Sequence, residues 1–531
     1  MINITDLSFN FGTQTLFKDV NLKFTPGNCY GIIGANGAGK STFLKLLCRE
    51  LEPSKGSISI PENMRMSVLR QNHFAYEEYS VLDTIIMGNM RLYEIGKQKD
   101  ALYAKEDFTD EDGILASELE GEYAEMGGWE SESDASKLLQ GLGLDESYLY
   151  KLMSELKESE KVKVLLAQAL FGNPEIILLD EPTNGLDISA ISWLEEFLSG
   201  YFGTVLVVSH DRHFLNDVCT NIVDIDYGGI KMYVGNYEFW YESSQLIQRL
   251  MKQQNKKNEE KIRELQSFIS RFSANKSKSK QATSRRKLLD KLTVEELPAS
   301  SRRYPFIGFD MDREAGKDIL FVKELSKTVD GVKLFDNITF TVNKGDKIAL
   351  IGNERAISAF FKILAEEDDA FGGSFKWGVS ITRSYFPHDN TKYFEGHEES
   401  ILDWMRQYSK DQTETYLRGF LGRMLFSGDS VFKPVNVLSG GEKVRCMFAR
   451  MMLFGSNMLM LDNPTDHLDL ESITAVNNGL SDFKGNVILS THDFEMMNTV
   501  ANRIIEFLPD GGMRDFNGTY EEYISHTSSP V

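Results

Sequence analysis

The sequence predicts an α/β fold that is built twice along the chain. Residues 7–34 and 325–352 align without a gap, at an offset of 318 residues (352 against 34). In both segments alternating apolar residues precede a continuous apolar run, the first typical of antiparallel strands and the second of buried parallel strands. Each copy is therefore expected to hold a parallel core sheet, an antiparallel subsheet and a helical part.

The later parts of the two copies repeat as well. Residues 173–187 match residues 456–469, and residues 203–215 match residues 485–497. These segments contain apolar runs of the kind that form buried parallel strands, and helical patterns lie between them. The runs occupy residues 176–179, 205–208, 458–461 and 487–489.

The repeat divides the chain into two domains and a linker. We expect a first domain over residues 1–242, a linker over residues 243–305 and a second domain over residues 306–531. A chain of 531 residues has room for domains of this size. Its hydrophobic content of 41% and charged content of 26% are typical of a globular protein and exclude a mostly disordered or fibrous chain.

The overall charge argues against diffuse binding to nucleic acid or anionic membranes. With 58 Lys+Arg against 79 Asp+Glu, the formal net charge is −21, so such binding requires a local concentration of positive charge. The four cysteines contain no CxxC pair, which favours a reducing compartment over a zinc site or a disulfide framework. No window reaches the ~20 apolar residues of a membrane span. We expect a cytoplasmic protein that is not a membrane pore.

An acidic segment interrupts the first copy. Residues 106–146 hold 14 acidic residues and one basic residue, within a helical insertion expected at about residues 88–146. A solvated acidic surface and a docking surface are both open interpretations of this segment.

The linker has the opposite charge. Residues 249–303 contain 16 Lys/Arg and 6 Asp/Glu, and apolar residues recur in the first half at three- and four-residue spacing. We expect two antiparallel helices joined by a basic tip near residues 273–284 and ended by Pro298. A charge run is commonly a solvated face, but a dense basic tip between acidic domains favours contact with a phosphate backbone. The candidate RNA-binding residues are Lys276, Lys278, Lys280, Arg285, Arg286 and Lys287.

A phosphate-binding loop is predicted in the first copy. Residues 34–41, GANGAGKS, match G-x-x-x-x-G-K-[ST] between a predicted strand and a predicted helix. Glycines allow backbone N–H groups to face phosphates, Lys40 is expected to reach the β- and γ-phosphates, and the Ser41 hydroxyl is expected to bind Mg²⁺. The candidate ATP-binding residues of this copy are Phe11, Gly34, Asn36, Gly37, Ala38, Gly39, Lys40, Ser41, Thr42, Gln71 and Asp180.

Two adjacent carboxylates follow an apolar strand. Asp180 is expected to hold Mg²⁺, together with Ser41 and Gln71, and Glu181 to orient or deprotonate the attacking water. His210 is a candidate for the γ-phosphate, with Lys40 and Glu181 as its catalytic partners; a structural role is the alternative for a lone histidine. For Phe11, stacking on adenine and packing in the core are equally open.

These motifs together resemble the ATP-binding cassette (ABC) ATPases. Residues 438–442, LSGGE, match the signature motif of that family, and residues 182–187, PTNGLD, its stretch after the catalytic Glu. Two cassettes on one chain with a basic helical linker resemble the ABC-F family of ribosome-associated translation factors, in its YbiT-like branch. The resemblance implies that each ATP lies between the phosphate loop of one cassette and the signature of the other. It adds Ser439, Gly440, Gly441 and Glu442 to the ATP-binding candidates.

The second phosphate loop departs from the family pattern. Lys40 maps to Ser358 without a gap, or to Ile357 with a one-residue deletion, so the lysine is lost either way. The first signature region, residues 156–160, lacks the two glycines. Arg355 is an open substitute for the lost lysine. The residues expected at this degenerate site are Asn353, Ser358, His388, Asp462, Asn463 and His492.

All these losses fall in one of the two shared sites that the resemblance implies. We therefore predict one hydrolytic ATP site, using ATP and Mg²⁺, and one site that binds nucleotide weakly or not at all. The resemblance implies a monomer that closes its two cassettes on ATP at the tRNA exit site of the 50S ribosome, near peptidyl-tRNA and rRNA. The alternatives are a fused double-cassette ATPase of an importer and a ribosome-protection antibiotic resistance factor.

Overall fold

The computed structural model describes residues 1–12, 14–62, 64–69, 73–272, 302–466 and 468–527. The chain forms two compact units. The first holds Met1–Ser209 and the chain from Phe214 to the linker, and the second holds His210–His213 and Arg302–Val531.

The first unit contains two sheets, as the apolar patterns predict. Its strands are β1 (Ile2–Phe11), β2 (Gln14–Phe24), β3 (Asn28–Ile33), β4 (Lys55–Ser59), β5 (Met66–Val68), β6 (Ile176–Asp180), β7 (Thr204–Val208), β8 (Asn221–Asp226) and β9 (Gly229–Val234). β1 pairs antiparallel with β2 and β4, whereas the larger sheet has the order β5-β6-β7-β3-β8-β9 and is parallel up to β8. Apolar side chains of both sheets and of the helix that follows β3 form one buried core.

Along the chain, helices lie between the strands of the first unit. They are α1 (Lys40–Leu47), α2 (Val81–Ile86), α3 (Met90–Tyr103), α4 (Asp110–Glu125), α5 (Ser131–Gly141), α6 (Glu158–Leu170), α7 (Ile188–Ser199) and α8 (Arg212–Val218). The acidic segment is helical, as the sequence predicts. Its α4 packs on α3 through a small buried cluster and begins with a reciprocal cap between Thr109 and Asp112.

The linker begins with a long helix, α9 (Tyr237–Phe272), which starts inside the predicted first domain. Its first turn is anchored to the sheet, because the buried indole Nε1 of Trp240 donates a hydrogen bond of 3.2 Å to Asp224 in β8. The predicted second linker helix, the basic tip and its six candidate RNA-binding residues lie outside the described residues.

The second unit repeats the two sheets. Its strands are β10 (Asp318–Val329), β11 (Val332–Asn343), β12 (Lys347–Gly352), β13 (Gly372–Trp377), β14 (Arg383–Phe386), β15 (Met458–Asp462), β16 (Asn486–Ser490), β17 (Arg503–Phe507) and β18 (Met513–Asn517). The sheet orders, β11-β10-β13 and β14-β15-β16-β12-β17-β18, match those of the first unit strand for strand. Among the described residues, its core includes two buried clusters.

The helices of the second unit are α10 (Glu354–Leu364), α11 (Ile401–Arg406), α12 (Glu414–Arg423), α13 (Gly440–Phe454), α14 (Leu470–Asp482), α15 (Phe494–Val500) and α16 (Tyr520–Thr527). The duplication extends to backbone detail: Asp6 and Glu324, and likewise Asp19 and Asn337, adopt positive φ angles of 48° to 53°. These non-glycine residues occupy the left-handed region at matching points of the antiparallel subsheets, which supports a common origin of the two copies.

Candidate functional site

The loop between β3 and α1 has the backbone of a phosphate cradle. A Cβ at Gly34 would lie 2.7 Å from the carbonyl oxygen of Ile225, so only glycine fits there. Gly37 and Gly39 have φ angles of 80° and 107°, which side chains of L-residues rarely allow. Since Gly39 directly precedes α1 and has no side chain to cap it, the first amides of the helix face the loop as an anion site requires.

Lys40 is folded back over this loop. The side chain is 9% exposed, and its ammonium donates hydrogen bonds to the carbonyl oxygens of Gly34 at 2.8 Å and Ala35 at 3.4 Å. The positive charge is therefore already held at the loop that the sequence predicts to bind phosphate. A lysine of this kind acts on phosphate as a point charge.

Asp180 stands at the end of β6, opposite the start of α1. The hydroxyl of Ser41 donates a hydrogen bond of 3.3 Å to its carboxylate. Burial raises the pKa of Asp180, while the bond from Ser41 and the charge of Lys40 oppose that rise. A hydroxyl and a carboxylate oxygen this close fit a hard cation such as Mg²⁺, which takes oxygen ligands.

Glu181 follows the strand in a constrained backbone conformation. Its φ angle is 51°, and its amide donates a hydrogen bond of 2.8 Å to the carbonyl oxygen of Val208 at the end of the neighbouring strand. Asn463, at the matching position of the second unit, has a φ angle of 48°. The two copies thus keep the same backbone and differ in the side chain that it presents.

The other predicted residues of the first copy fall into three groups. Asn36, Ala38 and Thr42 lie in or beside the loop, on either side of its glycines. Phe11 is 73% exposed at the end of β1, so it is not a core aromatic. Gln71 lies outside the described residues, and His210, after β7, belongs to the second compact unit.

The signature residues 438–442 form the start of α13. Ser439 caps the helix: its hydroxyl accepts a hydrogen bond of 3.4 Å from the amide of Glu442, and the Glu442 carboxylate accepts one of 2.8 Å from the amide of Ser439. This reciprocal cap leaves Gly440 and Gly441 in the first turn without side chains. The matching helix of the first unit, α6, keeps the counterpart of Glu442 as Glu160 but has Glu158 where α13 has Gly440, so it presents one more negative charge in its first turn.

The second phosphate loop has been converted into helix. α10 begins at Glu354, directly after its cap residue Asn353, whose side chain accepts hydrogen bonds from the amides of Arg355 (3.1 Å) and Ala356 (3.3 Å). Amides at the start of this helix are thus capped by the protein's own side chain, whereas α1 has no side-chain cap. Glu354 adds a carboxylate at the same place.

The structure settles the register of this segment and corrects one mapping. The hydroxyl of Ser358 donates a hydrogen bond of 2.8 Å to Asp462, as Ser41 does to Asp180, so Ser358 corresponds to Ser41 and not to Lys40. The position of Lys40 is taken by Ile357, which is 4% exposed in the apolar core. The one-residue deletion is therefore the right alternative.

The remaining predicted residues of the degenerate site pair with other side chains of the second unit. The side-chain amide of Asn463 lies 3.3 Å from Nδ1 of His388, and Nε2 of His492 lies 3.2 Å from the carboxylate of Glu354. Asp462 is buried and accepts hydrogen bonds from the hydroxyls of Ser358 and Ser490. Burial raises the pKa of Asp462, and these two hydrogen bonds oppose that rise. These internal pairs could not be predicted, because the sequence carries no signal for which of the replaced side chains meet.

Comparison with known proteins agrees with this geometry. The family model described as "ABC transporter" matches residues 17–184 and again residues 335–466. A second model of the same description matches residues 223–309, which span the linker. Over 528 residues the chain is 59% identical to the uncharacterised ABC transporter ATP-binding protein YkpA of Bacillus subtilis, covering 99% of this chain and 98% of the relative.

The chain belongs to the ABC ATPases of the ABC-F type. The probable ATP-binding protein YbiT of Escherichia coli O157:H7 is 44% identical over 527 residues, with 99% of both chains covered. This ABC ATPase also resembles a solved archaeal ribosome recycling factor, aABCE1, with a TM-score of 0.63 over 98% of this chain and 92% of that one. At 19% identity that likeness shows the two-cassette fold alone.

The membership makes the protein an ATP-binding ATPase with two cassettes, which confirms the predicted fold class and enzyme class. Within the described residues, no helix of this ABC ATPase is both long enough and apolar enough to cross a membrane.

Proposed function

We propose that this ABC ATPase binds the ribosome and modulates translation by closing its two cassettes on ATP. The observation that most directly supports closure on ATP is the asymmetry of the two phosphate loops. The first keeps its glycines, its lysine and a Ser–Asp pair, whereas the second is a capped helix with Ile357 in place of the lysine. ATP binding therefore drives closure through one competent site.

In that site the chain's residues have distinct tasks. The loop amides and Lys40 bind the phosphates, Phe11 stacks on adenine, and Ser41, Asp180 and Gln71 hold Mg²⁺, which supplies charge neutralisation when bound. Glu181 orients and deprotonates the attacking water, with His210 at the γ-phosphate.

On closure, residues Ser439–Glu442 of the second cassette complete the site. Gly440 and Gly441 permit close approach to the phosphates, whereas Glu158 at the start of α6 does not. In the second site Asn353, Ser358, His388, Asp462, Asn463 and His492 support structure rather than hydrolysis.

The test of the chemistry is Glu181→Gln against its matched control, Asn463→Gln. Removing the base lowers kcat by about 100-fold or more and leaves ATP affinity intact, whereas the control keeps the wild-type rate. ATP cleavage by Glu181→Gln at the wild-type rate removes Glu181 as the base and with it the assignment of the competent site.

The proposed partner is the large ribosomal subunit at the tRNA exit site, with the linker directed at peptidyl-tRNA and rRNA. The support is compositional: a segment of net charge +10 lies in a chain whose total is −21. The solved relative aABCE1 is itself described as a ribosome recycling factor, in complex with a ribosomal stalk protein. We further propose a cytoplasmic monomer.

The test of the partner is cosedimentation with ribosomes in the Glu181→Gln background. Replacing Lys276, Lys278, Lys280, Arg285, Arg286 and Lys287 by Gln weakens pelleting and reduces its salt dependence, since fewer phosphate counterions are released. The control is the free ATPase rate of the same six replacements made with Glu181 intact, and it stays at the wild-type value. Unaltered pelleting refutes the role of these residues, and cofractionation with a membrane permease instead of ribosomes refutes the partner.

A further inference from the structure

Glu442 of the signature is held by a second residue besides its capping partner. The ammonium of Lys433 donates to both oxygens of the Glu442 carboxylate, at 2.8 and 3.2 Å. The same carboxylate accepts the amide of Ser439 at 2.8 Å, so Lys433, Glu442 and Ser439 form one continuous chain of contacts. Burial alone would raise the pKa of Glu442, but Lys433 and Ser439 together bring it below its ordinary value.

The backbone of Lys433 is fixed independently of this contact. Its carbonyl oxygen accepts a hydrogen bond of 3.1 Å from the amide of Ile401 at the start of α11. The next residue, Pro434, forms a β-bridge with Ser400, which caps α11. The backbone of Lys433 is therefore held in place without the help of Glu442. For this reason the ion pair can fix the position of the signature residues 438–442.

The first cassette provides an internal comparison. There the equivalent residues are Lys151 and Glu160, and the backbone frame is the same: Val81 donates to the carbonyl oxygen of Lys151, and Leu152 bridges to Ser80. The side chains differ. Nζ of Lys151 lies 3.5 Å from the centre of the Tyr148 ring, and the hydroxyl of Tyr148 donates to Glu160 at 3.2 Å.

The lysine–glutamate pair is thus formed at the signature that keeps its glycines and is replaced by a tyrosine contact at the one that has lost them. The residue that corresponds to Tyr148 is Ser430, which is too short to compete with Lys433 for Glu442. Both copies therefore carry the same two charged residues, and the neighbouring residue decides which pair forms.

We propose that Lys433 is a positioning residue for ATP hydrolysis, which holds the Ser439–Glu442 turn in the geometry that meets the nucleotide bound by the first cassette. This inference rests on the proposed shared site. Because the signature joins the nucleotide only on closure, loss of Lys433 affects turnover more than the initial binding of ATP.

The experiment compares four variants by steady-state ATPase kinetics and by thermal unfolding: Lys433→Met, Lys433→Arg, Glu442→Gln and the Lys433→Met/Glu442→Gln double variant. Lys151→Met is the matched control in the first cassette. We expect Lys433→Met to lower kcat by about ten-fold with the KM for ATP changed by less than about two-fold. Lys433→Arg restores most of the rate, the double variant loses no more than the worse single variant, and Lys151→Met keeps the wild-type rate.

Three outcomes overturn the proposal: a wild-type kcat for Lys433→Met, an equal loss for Lys151→Met, or additive losses in the double variant. If Lys433→Met does not unfold cooperatively, Lys433→Gln, which retains a hydrogen-bond donor, is judged by the same rates. Glu181→Gln distinguishes failure of the proposed ATP site from failure of the positioning role of Lys433. A normal rate in Glu181→Gln refutes the proposed site itself, whereas an inactive Glu181→Gln with a fully active Lys433→Met refutes only the positioning role.

Discussion

The hydroxyl of Ser358 donates a hydrogen bond to the carboxylate of Asp462 at 2.8 Å, shorter than the equivalent bond of 3.3 Å from Ser41 to Asp180. Asp462 is 2% exposed and also accepts a bond of 2.9 Å from Ser490, so its oxygens are occupied by the protein itself. The same pair of residue types thus serves a nucleotide site in one cassette and internal packing in the other.

This difference predicts opposite effects for the same substitution in the two cassettes. Ser41→Ala removes a proposed Mg²⁺ ligand and is expected to lower kcat by about ten-fold or more without affecting folding. Ser358→Ala leaves a buried carboxylate with one hydrogen bond fewer, at a cost of about 1–3 kcal/mol, and leaves kcat unchanged. Steady-state ATPase rates and thermal unfolding of both variants check this, and a loss of rate in Ser358→Ala contradicts it.

The fold and the glycine pattern of residues 34–41 could be predicted from the sequence, because both depend on local patterns. The strand that ends at Asp180 and the glycines of residues 34–41 are visible in the residue types themselves. The sequence left the register of the second loop open, since Ile357 and Ser358 both fit an amphipathic helix. Only tertiary contacts decide that Ile357 enters the core while Ser358 reaches Asp462.

Side-chain pairing was likewise beyond the sequence. Lys151 and Glu160 have the same spacing in the sequence as Lys433 and Glu442, but only Lys433 and Glu442 contact each other. In the first cassette Lys151 and Glu160 each contact Tyr148 instead. The sequence also carries no signal that the helix α9 begins at Tyr237, before the predicted linker start at residue 243, where Trp240 anchors the helix to the sheet.

The number of nucleotides bound by each chain follows from the capped helix of the second cassette. We expect one ATP per chain in Glu181→Gln, measured by equilibrium dialysis, because Asn353 already occupies the amides that would receive phosphate. Arg355→Met tests whether arginine replaces the lost lysine, and we expect it to leave the stoichiometry at one. Two nucleotides in Glu181→Gln, falling to one in Arg355→Met, would show that Arg355 sustains a second site.

The stability of the first cassette is expected to depend on pH through Asp187. It caps α7 by accepting the amide of Ala190 at 3.0 Å and binds the buried ammonium of Lys163. Burial alone would raise its pKa, but Lys163, Ser189 and the Ala190 amide outweigh that effect and lower it to about 2. The folded-state pKa lies below the unfolded value of about 3.9, so the stabilisation is complete above that value and is lost as the pH falls towards 2.

Asp187→Asn is therefore expected to lower the thermal midpoint at neutral pH, and the difference from wild type is expected to shrink between about pH 4 and pH 2. The asparagine can still accept the Ala190 amide as a cap, so the cost of about 1–2 kcal/mol comes from losing the charged partner of Lys163. Differential scanning calorimetry across this range checks the sign. A difference that grows as the pH falls would contradict the assigned direction of the pKa shift.

Arg302 ties the end of the linker into the second cassette. Its Nε donates a hydrogen bond of 2.8 Å to the carboxylate of Glu471 in the first turn of α14, with the two side chains 9% and 4% exposed. The chain then continues over the same region, where Phe309 packs against Phe448 of α13 and Phe483 after α14. Because the ion pair is buried, removing only the cation is expected to cost about 3–5 kcal/mol.

We therefore expect Arg302→Met to lower the urea midpoint of the second cassette markedly, and the double variant Arg302→Met/Glu471→Met to recover most of that loss, since it removes both charges at once. Tryptophan fluorescence, which includes the buried Trp404 of this cassette, follows the transition. Equal midpoints for the single and the double variant would mean that lost packing around residue 302, and not the buried charge, lowers the urea midpoint. The matched exposed pair, Arg418 and Glu414, is expected to contribute less than about 1 kcal/mol in the same assay, because water screens it.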